Sequence, residues 1–228
     1  MGISTEYYGR LKNRYFRLTL YAFSVNAPNK SMYPLSTPRG ERTLRCFANA
    51  ISLRTHSGHK RHKSVGHLPS KLSIHMITIG FLADHLDTIP TLTKWFRDQW
   101  PDYYANWSDE EMMQDFLEDL SRNSLPSRLV AFESNELVGT IILRESGTET
   151  LPERQPELGG LYVVEPFRGR GIGTELVRAG MKLAREQGYA AVSATTVSAA
   201  CILERLGWEL IKPVIHEDGE VILYQCKL

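Results

Sequence analysis

Residues 161–173 read Leu-Tyr-Val-Val-Glu-Pro-Phe-Arg-Gly-Arg-Gly-Ile-Gly and contain the most informative pattern in the chain. The first four residues are apolar, which is typical of a buried β-strand. Glycines then alternate with other residues at 169, 171 and 173, and a helical pattern follows that reaches about Gln187, with Gly188 as its predicted end. The pattern predicts a strand, a glycine-rich loop and a helix in direct succession.

The glycine-rich loop has the features of an anion-binding site. Because Gly169, Gly171 and Gly173 lack Cβ atoms, successive backbone N–H groups can converge on an anion at the start of the following helix. The helix dipole favours negative charge at this end, and Arg168 and Arg170 add positive charge. A pyrophosphate is the ligand that fits this arrangement best.

Two familiar phosphate-binding loops do not match the sequence. A Walker loop requires Gly-Lys-Ser/Thr, whereas Gly173 is followed directly by Thr174. A Rossmann loop requires Gly-x-Gly-x-x-Gly near the start of a βαβ domain, whereas this loop reads Gly-x-Gly-x-Gly and lies late in the chain. Both nucleotide-binding folds are therefore disfavoured.

The segments on either side of the loop predict a mixed α/β domain. Upstream we expect a strand at Ile77–Phe81, a helix from Asp84 to about Trp100, a helix capped by Ser108 that runs to Arg122, and strands at Leu129–Glu133 and Leu137–Arg144. The loop's own strand covers Leu158–Val164. Downstream we expect a strand at Ala190–Thr196, a short helix at Ala199–Leu206, and strands at Trp208–Ile211 and Val221–Lys227. The order βααβββαβαββ predicts a central sheet with helices on both faces.

Charge divides the chain into two segments. Residues 1–75 hold 13 Lys and Arg against two acidic residues, a formal charge of +11, whereas residues 76–228 hold 14 against 24, a formal charge of −10. The first segment has little periodicity and many turn-forming residues, so we predict a basic, disordered extension at 1–75 and a folded domain at 76–228. We expect the extension to be dispensable; whether Met76 is the natural start is left open by the sequence, and the Arg-rich, acid-poor composition also resembles that of an organellar transit peptide.

Several classes of protein are excluded by composition. No apolar stretch approaches the roughly 18–20 residues of a membrane-spanning helix, so we expect no membrane partner. Three cysteines without Cys-x-x-Cys spacing indicate neither a disulfide framework nor a zinc knuckle, and fit a reducing, cytoplasmic location. The spacing of His56, His59 and His62 is interrupted by Gly58, so we predict no metal site. No nucleic-acid-binding motif accompanies the basic segment, and we expect no nucleic-acid partner.

The motif Arg168-Gly-Arg-Gly171-Ile-Gly173 resembles the acyl-CoA signature Arg/Gln-x-x-Gly-x-Gly/Ala of the GNAT superfamily of N-acetyltransferases. The order of elements, the strand before the loop and the stretch from Ala199 to Trp208 are similar to that superfamily as well, and the resemblance covers residues 77–228. It implies a GNAT-like mixed central sheet, acetyl-CoA as co-substrate and no metal. Superfamily members are often dimers, which makes a homodimer an expectation by analogy.

The resemblance also implies the residues that bind the co-substrate. In that superfamily the strand before the loop pairs through its backbone with the pantetheine arm, and the loop binds the pyrophosphate. Carried over to this chain, the strand residues are Tyr162, Val163 and Val164, and the loop residues are Arg168, Gly169, Arg170, Gly171, Ile172 and Gly173.

Acetyl transfer to an amine needs a base, because an alkylammonium with a pKa near ~10 must lose a proton before it can attack a thioester. Glu157, at the start of the central strand, is the first candidate, and Glu165 is the second. Many superfamily members carry a tyrosine acid where this chain has Leu203. Tyr224 or a water could replace it, and a thiol of pKa near ~8.5 can also leave as a thiolate without a strong acid.

The sequence therefore predicts an acetyl-CoA-dependent N-acetyltransferase that acts on a primary amine by direct attack in a ternary complex. An aromatic cluster at Tyr103, Tyr104 and Trp107, surrounded by acidic residues, favours a small cationic acceptor. The alternative is a non-catalytic acyl-CoA-binding module, which Leu203 motivates. Acceptor identity and acyl-chain preference are left open by the sequence.

Overall fold

A computed structural model describes residues 76–146, 155–216 and 219–228, so the predicted extension at 1–75 lies outside the described residues. The predicted order of strands and helices is confirmed. In chain order the elements are β1 (Ile77–Phe81), α1 (Ile89–Gln99), α2 (Asp109–Leu117), β2 (Ser127–Glu133), β3 (Glu136–Glu145), β4 (Pro156–Val163), α3 (Ile172–Glu186), β5 (Ala191–Thr196), α4 (Ala200–Arg205), β6 (Glu209–His216) and β7 (Gly219–Lys227).

The strands form one mixed sheet in the order β1-β2-β3-β4-β5-β7-β6. Neighbouring strands are antiparallel except β4 and β5, which are parallel and pair at a single position, Glu157 with Ser193. Beyond Glu157 the edge of β4 that faces β5 takes no part in the sheet ladder. The sheet therefore opens in its middle, next to the glycine-rich loop.

Helices cover both faces of the sheet, as predicted. On β2, Leu129 and Ala131 pack in the core cluster that contains α3 and α4, whereas Val130 packs with Phe96 of α1 and Phe116 of α2. This alternation is the two-residue period of a strand with two buried faces. β4 is covered in the same way, because Leu161 packs in the cluster with α3 and α4, and Tyr162 packs against the cluster with α1 and α2.

A β-bulge redirects β4 just before the opening. Thr140 of β3 pairs with Tyr162, and Ile142 pairs with Gly159, so Gly160 and Leu161 together face one residue of β3. Gly160 has a φ of 52°, a conformation that suits glycine. Bulges of this kind turn a strand and often lie beside active sites.

The start of α1 differs from the prediction. Two 3-10 turns, at Leu82–Asp84 and Leu86–Thr88, occupy the first part of the predicted helix. The α-helix begins only at Ile89, because Pro90 fits the first turn of a helix and no interior position. Asp84 does not cap this helix and instead forms an ion pair with Arg122.

The end of α2 differs as well. The predicted capping box is confirmed, since Ser108 Oγ accepts from Glu111 N and Glu111 Oε2 accepts from Ser108 N. The helix ends at Leu117 and not at Arg122. The early end brings Asp119 against Arg128 of β2, with Nε and Nη2 of the arginine 2.8 and 2.7 Å from Asp119 Oδ2.

Candidate active site

A groove of about 170 Å³ lies where β4 leaves its parallel neighbour, and we call it the β4 groove. It is bounded by the end of β4, the glycine-rich loop, the first turn of α3 and one side of α4. Its lining residues are Leu161, Tyr162, Val163, Phe167, Arg168, Gly169, Gly171, Ile172, Gly173, Thr174, Ile202 and Arg205. Seven of the nine residues predicted to bind the co-substrate are in this lining; Val164 and Arg170 are not.

The loop reaches the start of α3 through backbone conformations that favour glycine. Gly169 and Gly171 have φ values of 77° and 88°, and Gly171 is the N-cap residue of α3. No capping side chain accepts a hydrogen bond from the first backbone N–H groups of α3. At Gly173, a Cβ atom would lie 3.2 Å from Ile202 Cδ1, and glycine therefore lets α4 approach closely.

Arg168 connects the loop to the end of β4. Its Nε donates to the carbonyl oxygen of Val163 at 2.8 Å, and its Cζ lies 5.8 Å from the centre of the Tyr162 ring. The side chain also lines the β4 groove. A guanidinium is thus held beside the first turn of α3, where an anion would experience both the cation and the helix dipole.

Arg170 was predicted to act in the pyrophosphate site, and its side chain is directed elsewhere. Nη1 lies 3.1 Å from Glu133 Oε2, and Nη2 donates to the carbonyl oxygen of Pro166 at 3.0 Å. The guanidinium also lies over the ring of Phe167, 4.8 Å from its centre. With these three contacts, the side chain of Arg170 does not line the β4 groove.

Glu157 lies at the position where β4 and β5 make their single pairing. The side chain is buried, 3% exposed. Thr195 Oγ1 donates to Glu157 Oε1 at 3.0 Å, and Arg144 Nη2 lies 3.8 Å from the same oxygen. Glu157 does not line the β4 groove, and its contacts connect it to β5 at the base of the opening. The second candidate, Glu165, lies in the 3-10 turn that precedes the loop.

Two positions bear on the general acid, Tyr224 and Leu203, and both side chains lie in the core. Tyr224 is buried and donates to Glu204 Oε1 at 3.1 Å; burial, with the neighbouring carboxylate, raises the pKa of Tyr224 to about 12. Leu203 is fully buried, and the adjacent residue Ile202 lines the groove in its place. Tyr224 does not line the groove, so an acid role for it stays a prediction that this geometry does not favour.

Aromatic side chains of α1 and its C-terminal neighbour lie beside the groove on the other face of the sheet. The rings of Trp95 and Trp100 are 5.2 and 6.4 Å from the ring of Tyr162, measured between centres. Both tryptophans are partly exposed. The predicted cluster of Tyr103, Tyr104 and Trp107 packs mainly on itself, with centres 4.6 to 6.3 Å apart.

Sequence reasoning missed several residues of the groove. Leu161, Phe167, Thr174, Ile202 and Arg205 line it in addition to the predicted set. Leu161, Phe167 and Thr174 are neighbours of the motif and could have been included from their positions alone. Ile202 and Arg205 come from α4, about 30 residues downstream, and only the stretch before Gly207 hinted at their proximity.

Within residues 76–146, 155–216 and 219–228, no group of three or more His, Cys, Asp or Glu side chains could hold a metal ion. Among the helices that the structure describes, none has the length and apolar character needed to cross a bilayer.

Comparison with known proteins agrees with this geometry. The model of the acetyltransferase (GNAT) family matches residues 92–208. The fold is similar to that of ribosomal-protein-alanine N-acetyltransferase from Brucella melitensis, with 22% identity, a TM-score of 0.52, and coverage of 67% of this chain and 99% of that chain. A search of curated protein sequences found no match.

Two other solved structures have similar folds. The aminoglycoside 6'-N-acetyltransferase from Enterococcus faecium is 18% identical, with a TM-score of 0.50 and coverage of 66% of this chain and 96% of that chain. The ribosomal L7/L12 alpha-N-protein acetyltransferase RimL, in complex with coenzyme A, is 15% identical, with a TM-score of 0.54 and coverage of 69% and 97%. The family model spans more than half of the sequence and the solved relatives share its fold, so the chain belongs to the GNAT family of acetyltransferases.

Proposed function

We propose that this protein is an acetyl-CoA-dependent N-acetyltransferase that modifies a primary amine of a small, cationic acceptor by direct attack in a ternary complex. The observation that carries the proposal is the β4 groove itself. It combines an unpaired strand edge, the uncapped start of α3 and the guanidinium of Arg168 in one concave surface. Residues 76–228 are proposed as the domain that contains this site.

The residues of the groove fit coenzyme A in three respects. The first N–H groups of α3 together with Arg168 suit a pyrophosphate. The edge of β4 beyond Glu157 offers backbone groups to the amides of the pantetheine arm. Apolar side chains such as Phe167 and Ile202 suit its methylene groups. Bound acetyl-CoA supplies a thioester whose acetyl carbon accepts the amine and whose sulfur leaves with the bonding electrons.

We propose Glu157 as the group that accepts the amine proton, through water. Its carboxylate lies at the base of the opening, where the two parallel strands last pair. Thr195 donates to one carboxylate oxygen, and this hydrogen bond holds the side chain in place.

The leaving thiolate has no tyrosine acid at position 203. The side chain of Leu203 has no proton to donate, and the hydroxyl of buried Tyr224 donates its hydrogen bond to Glu204. A thiolate whose conjugate acid has a pKa near ~8.5 is stable enough to leave unprotonated. We therefore propose that proton return to sulfur comes from solvent.

Two features support a cationic acceptor. The folded domain carries 24 acidic against 14 basic residues, which attracts cations over distances of a Debye length. The exposed parts of Trp95 and Trp100, beside Tyr162, offer aromatic faces that bind alkylammonium groups. A cytoplasmic location and a homodimer stay predictions from the sequence.

Calorimetric titration of acetyl-CoA tests the co-substrate. Full-length protein and the chain truncated to residues 76–228 are titrated in parallel, with NADH as a comparison ligand. We expect matching affinity for acetyl-CoA in both proteins and no binding of NADH, because the described site lies wholly within 76–228. Absence of acetyl-CoA binding by folded full-length protein would refute the proposal.

A panel of amines tests the reaction, with release of free thiol as the readout. In the presence of the best acceptor, Glu157→Gln is expected to lower kcat while the Kd for acetyl-CoA stays near that of the wild type, because Glu157 does not line the groove. Glu186→Gln, in an exposed ion pair with Lys182 at the C-terminal end of α3, is the matched control and is expected to leave both quantities unchanged. Equal kcat for Glu157→Gln and wild type would exclude Glu157 as the base.

The alternative function is a non-catalytic acyl-CoA-binding module. The buried Leu203, in the position of the usual tyrosine acid, is the observation that favours it. The same panel distinguishes the two functions. Acetyl-CoA binding without turnover on any amine would support the binding module, whereas turnover on at least one amine would establish the enzyme.

A further inference from the structure

We propose that the second phosphate-binding cation of the β4 groove is Arg205 of α4, and that Arg170 is a positioning residue that ties the glycine-rich loop to Glu133 of β2. The proposal rests on the proposed function, since the phosphates concerned are those of coenzyme A. It reassigns one of the two arginines of the motif and adds a residue that lies outside the motif.

The contacts of Arg170 are those of a structural connection. One guanidinium nitrogen pairs with Glu133 at 3.1 Å, a second donates to the Pro166 carbonyl, and the plane stacks on Phe167. Glu133 is 37 residues away in sequence and ends β2, so the ion pair joins the loop to another strand of the sheet. Because Phe167 lines the groove, the same contacts also fix one of its walls.

Glu133 and Arg170 differ in exposure. Its side chain is only 6% exposed, whereas that of Arg170 is 48% exposed. A buried carboxylate without a paired cation is strongly disfavoured, so Glu133 keeps the arginine in place more firmly than an exposed acid would. Arg170 also lies between two residues with positive φ, Gly169 and Gly171, and its side chain is the loop's connection to β2. Loss of the pair would remove a connection between the loop and β2, whereas the contact of Arg168 with Val163 would remain.

Arg205 differs from Arg170 in its location and in the charges around it. It belongs to α4, lines the groove with Arg168 and is exposed. Among the residues that the structure describes, no carboxylate lies within ion-pair distance of Arg205. Its charge is therefore available to an anion in the groove, whereas the charge of Arg170 is balanced by Glu133. In a domain rich in acidic residues, such an uncompensated cation on a groove wall suits a phosphate.

The two roles predict different responses to substitution and to salt. Acetyl-CoA is titrated calorimetrically into full-length protein at about 50 and about 300 mM NaCl, a range over which charge interactions at exposed sites are increasingly screened. Arg205→Gln is expected to weaken binding about three- to tenfold at low salt and to make the affinity less sensitive to salt, because one cation facing the ligand is removed.

For the positioning role, Arg170→Gln and Glu133→Gln are compared singly and together. Each single variant is expected to weaken acetyl-CoA binding by a similar factor, and the double variant no further, because either change breaks the same connection. The salt dependence of each is expected to match that of the wild type. Arg170→Lys keeps the charge but not the forked geometry, so it tests the same connection with a smaller change if Arg170→Gln unfolds the protein.

Controls make the outcomes distinct. Arg178→Gln removes an exposed arginine of α3 that pairs with Glu175 outside the groove, and its affinity should equal that of the wild type. Unchanged or tighter binding by Glu133→Gln, with weaker binding by Arg170→Gln, would overturn the positioning role and make Arg170 a phosphate ligand. Wild-type affinity and salt dependence in Arg205→Gln would overturn the role of Arg205. No binding by wild-type protein would refute the proposed function itself, which is a separate result.

Discussion

Two glycines of α3 allow the role of the loop to be separated from ordinary backbone strain. Gly171 begins the helix with a φ of 88°, and Gly188 follows its end with a φ of 87°. A Cβ atom built on either meets no atom within 4 Å, so alanine introduces no clash at either position. The cost of each substitution is therefore the left-handed conformation alone, about 1–2 kcal/mol of unfolding free energy.

The positions differ in what the conformation does. Gly188 completes a Schellman motif, in which its N–H bonds to Arg185 O and the next N–H bonds to Ala184 O, far from the groove. Gly171 lines the groove and sets the direction of the first N–H groups of α3. If bound acetyl-CoA requires that conformation and the loop of Gly171→Ala relaxes in the free protein, the 1–2 kcal/mol is lost in binding and not in folding, which is about 5- to 30-fold in Kd.

Urea unfolding and calorimetric titration measure the two quantities on both variants. We expect Gly188→Ala to lose stability with acetyl-CoA affinity unchanged, and Gly171→Ala to lose acetyl-CoA affinity with a smaller loss of stability than Gly188→Ala. Equal effects of the two substitutions on affinity, or wild-type affinity in Gly171→Ala, would show that the positive φ at the loop is not what binds the co-substrate.

Three further predictions concern packing, capping and pH. Gly180→Ala places a Cβ atom 2.5 Å from Leu158 Cδ2, so we expect a loss of about 1–3 kcal/mol in urea unfolding despite better helix propensity, with Leu158→Ala less than additive to it; full additivity would argue against the contact. Ser108→Ala removes the capping box with Glu111 and should cost about 1 kcal/mol with acetyl-CoA affinity unchanged; a stability equal to that of the wild type would contradict the cap. Because burial raises the pKa of Tyr224 to about 12, its stabilising contribution is complete below about pH 10 and is lost as the pH rises towards about 12. Urea unfolding near pH 8 and above pH 11 should therefore show a smaller alkaline loss for Tyr224→Phe than for wild type, and equal losses would contradict it.

The local elements of this fold follow from local sequence signals. The end of α3 at Gly188 and the start of α2 at Ser108 both depend on residues within one helical turn, and both predictions are confirmed. The start of α1 also has a local cause, because Pro90 fits the first turn of a helix and the α-helix begins at Ile89. Local chemistry thus accounts for most element boundaries in the described residues.

Side-chain directions follow from partners that are distant in sequence. Arg170 was predicted to add positive charge to the pyrophosphate site, and in the structure its side chain pairs with Glu133 of β2. The early end of α2 similarly depends on Arg128, which pairs with Asp119. Neither partner can be identified from spacing, because each pairing exists only once the strands are assembled.

The single pairing between β4 and β5 gives this sheet four edges where an ordinary open sheet has two. An unpaired strand edge is a template on which another polypeptide can add a strand. A ligand arm with amide groups that occupies the opening would act as a substitute strand and close both inner edges at once. If the proposed co-substrate occupies the opening, we expect it also to cover the strand edge on which a second chain could add a strand.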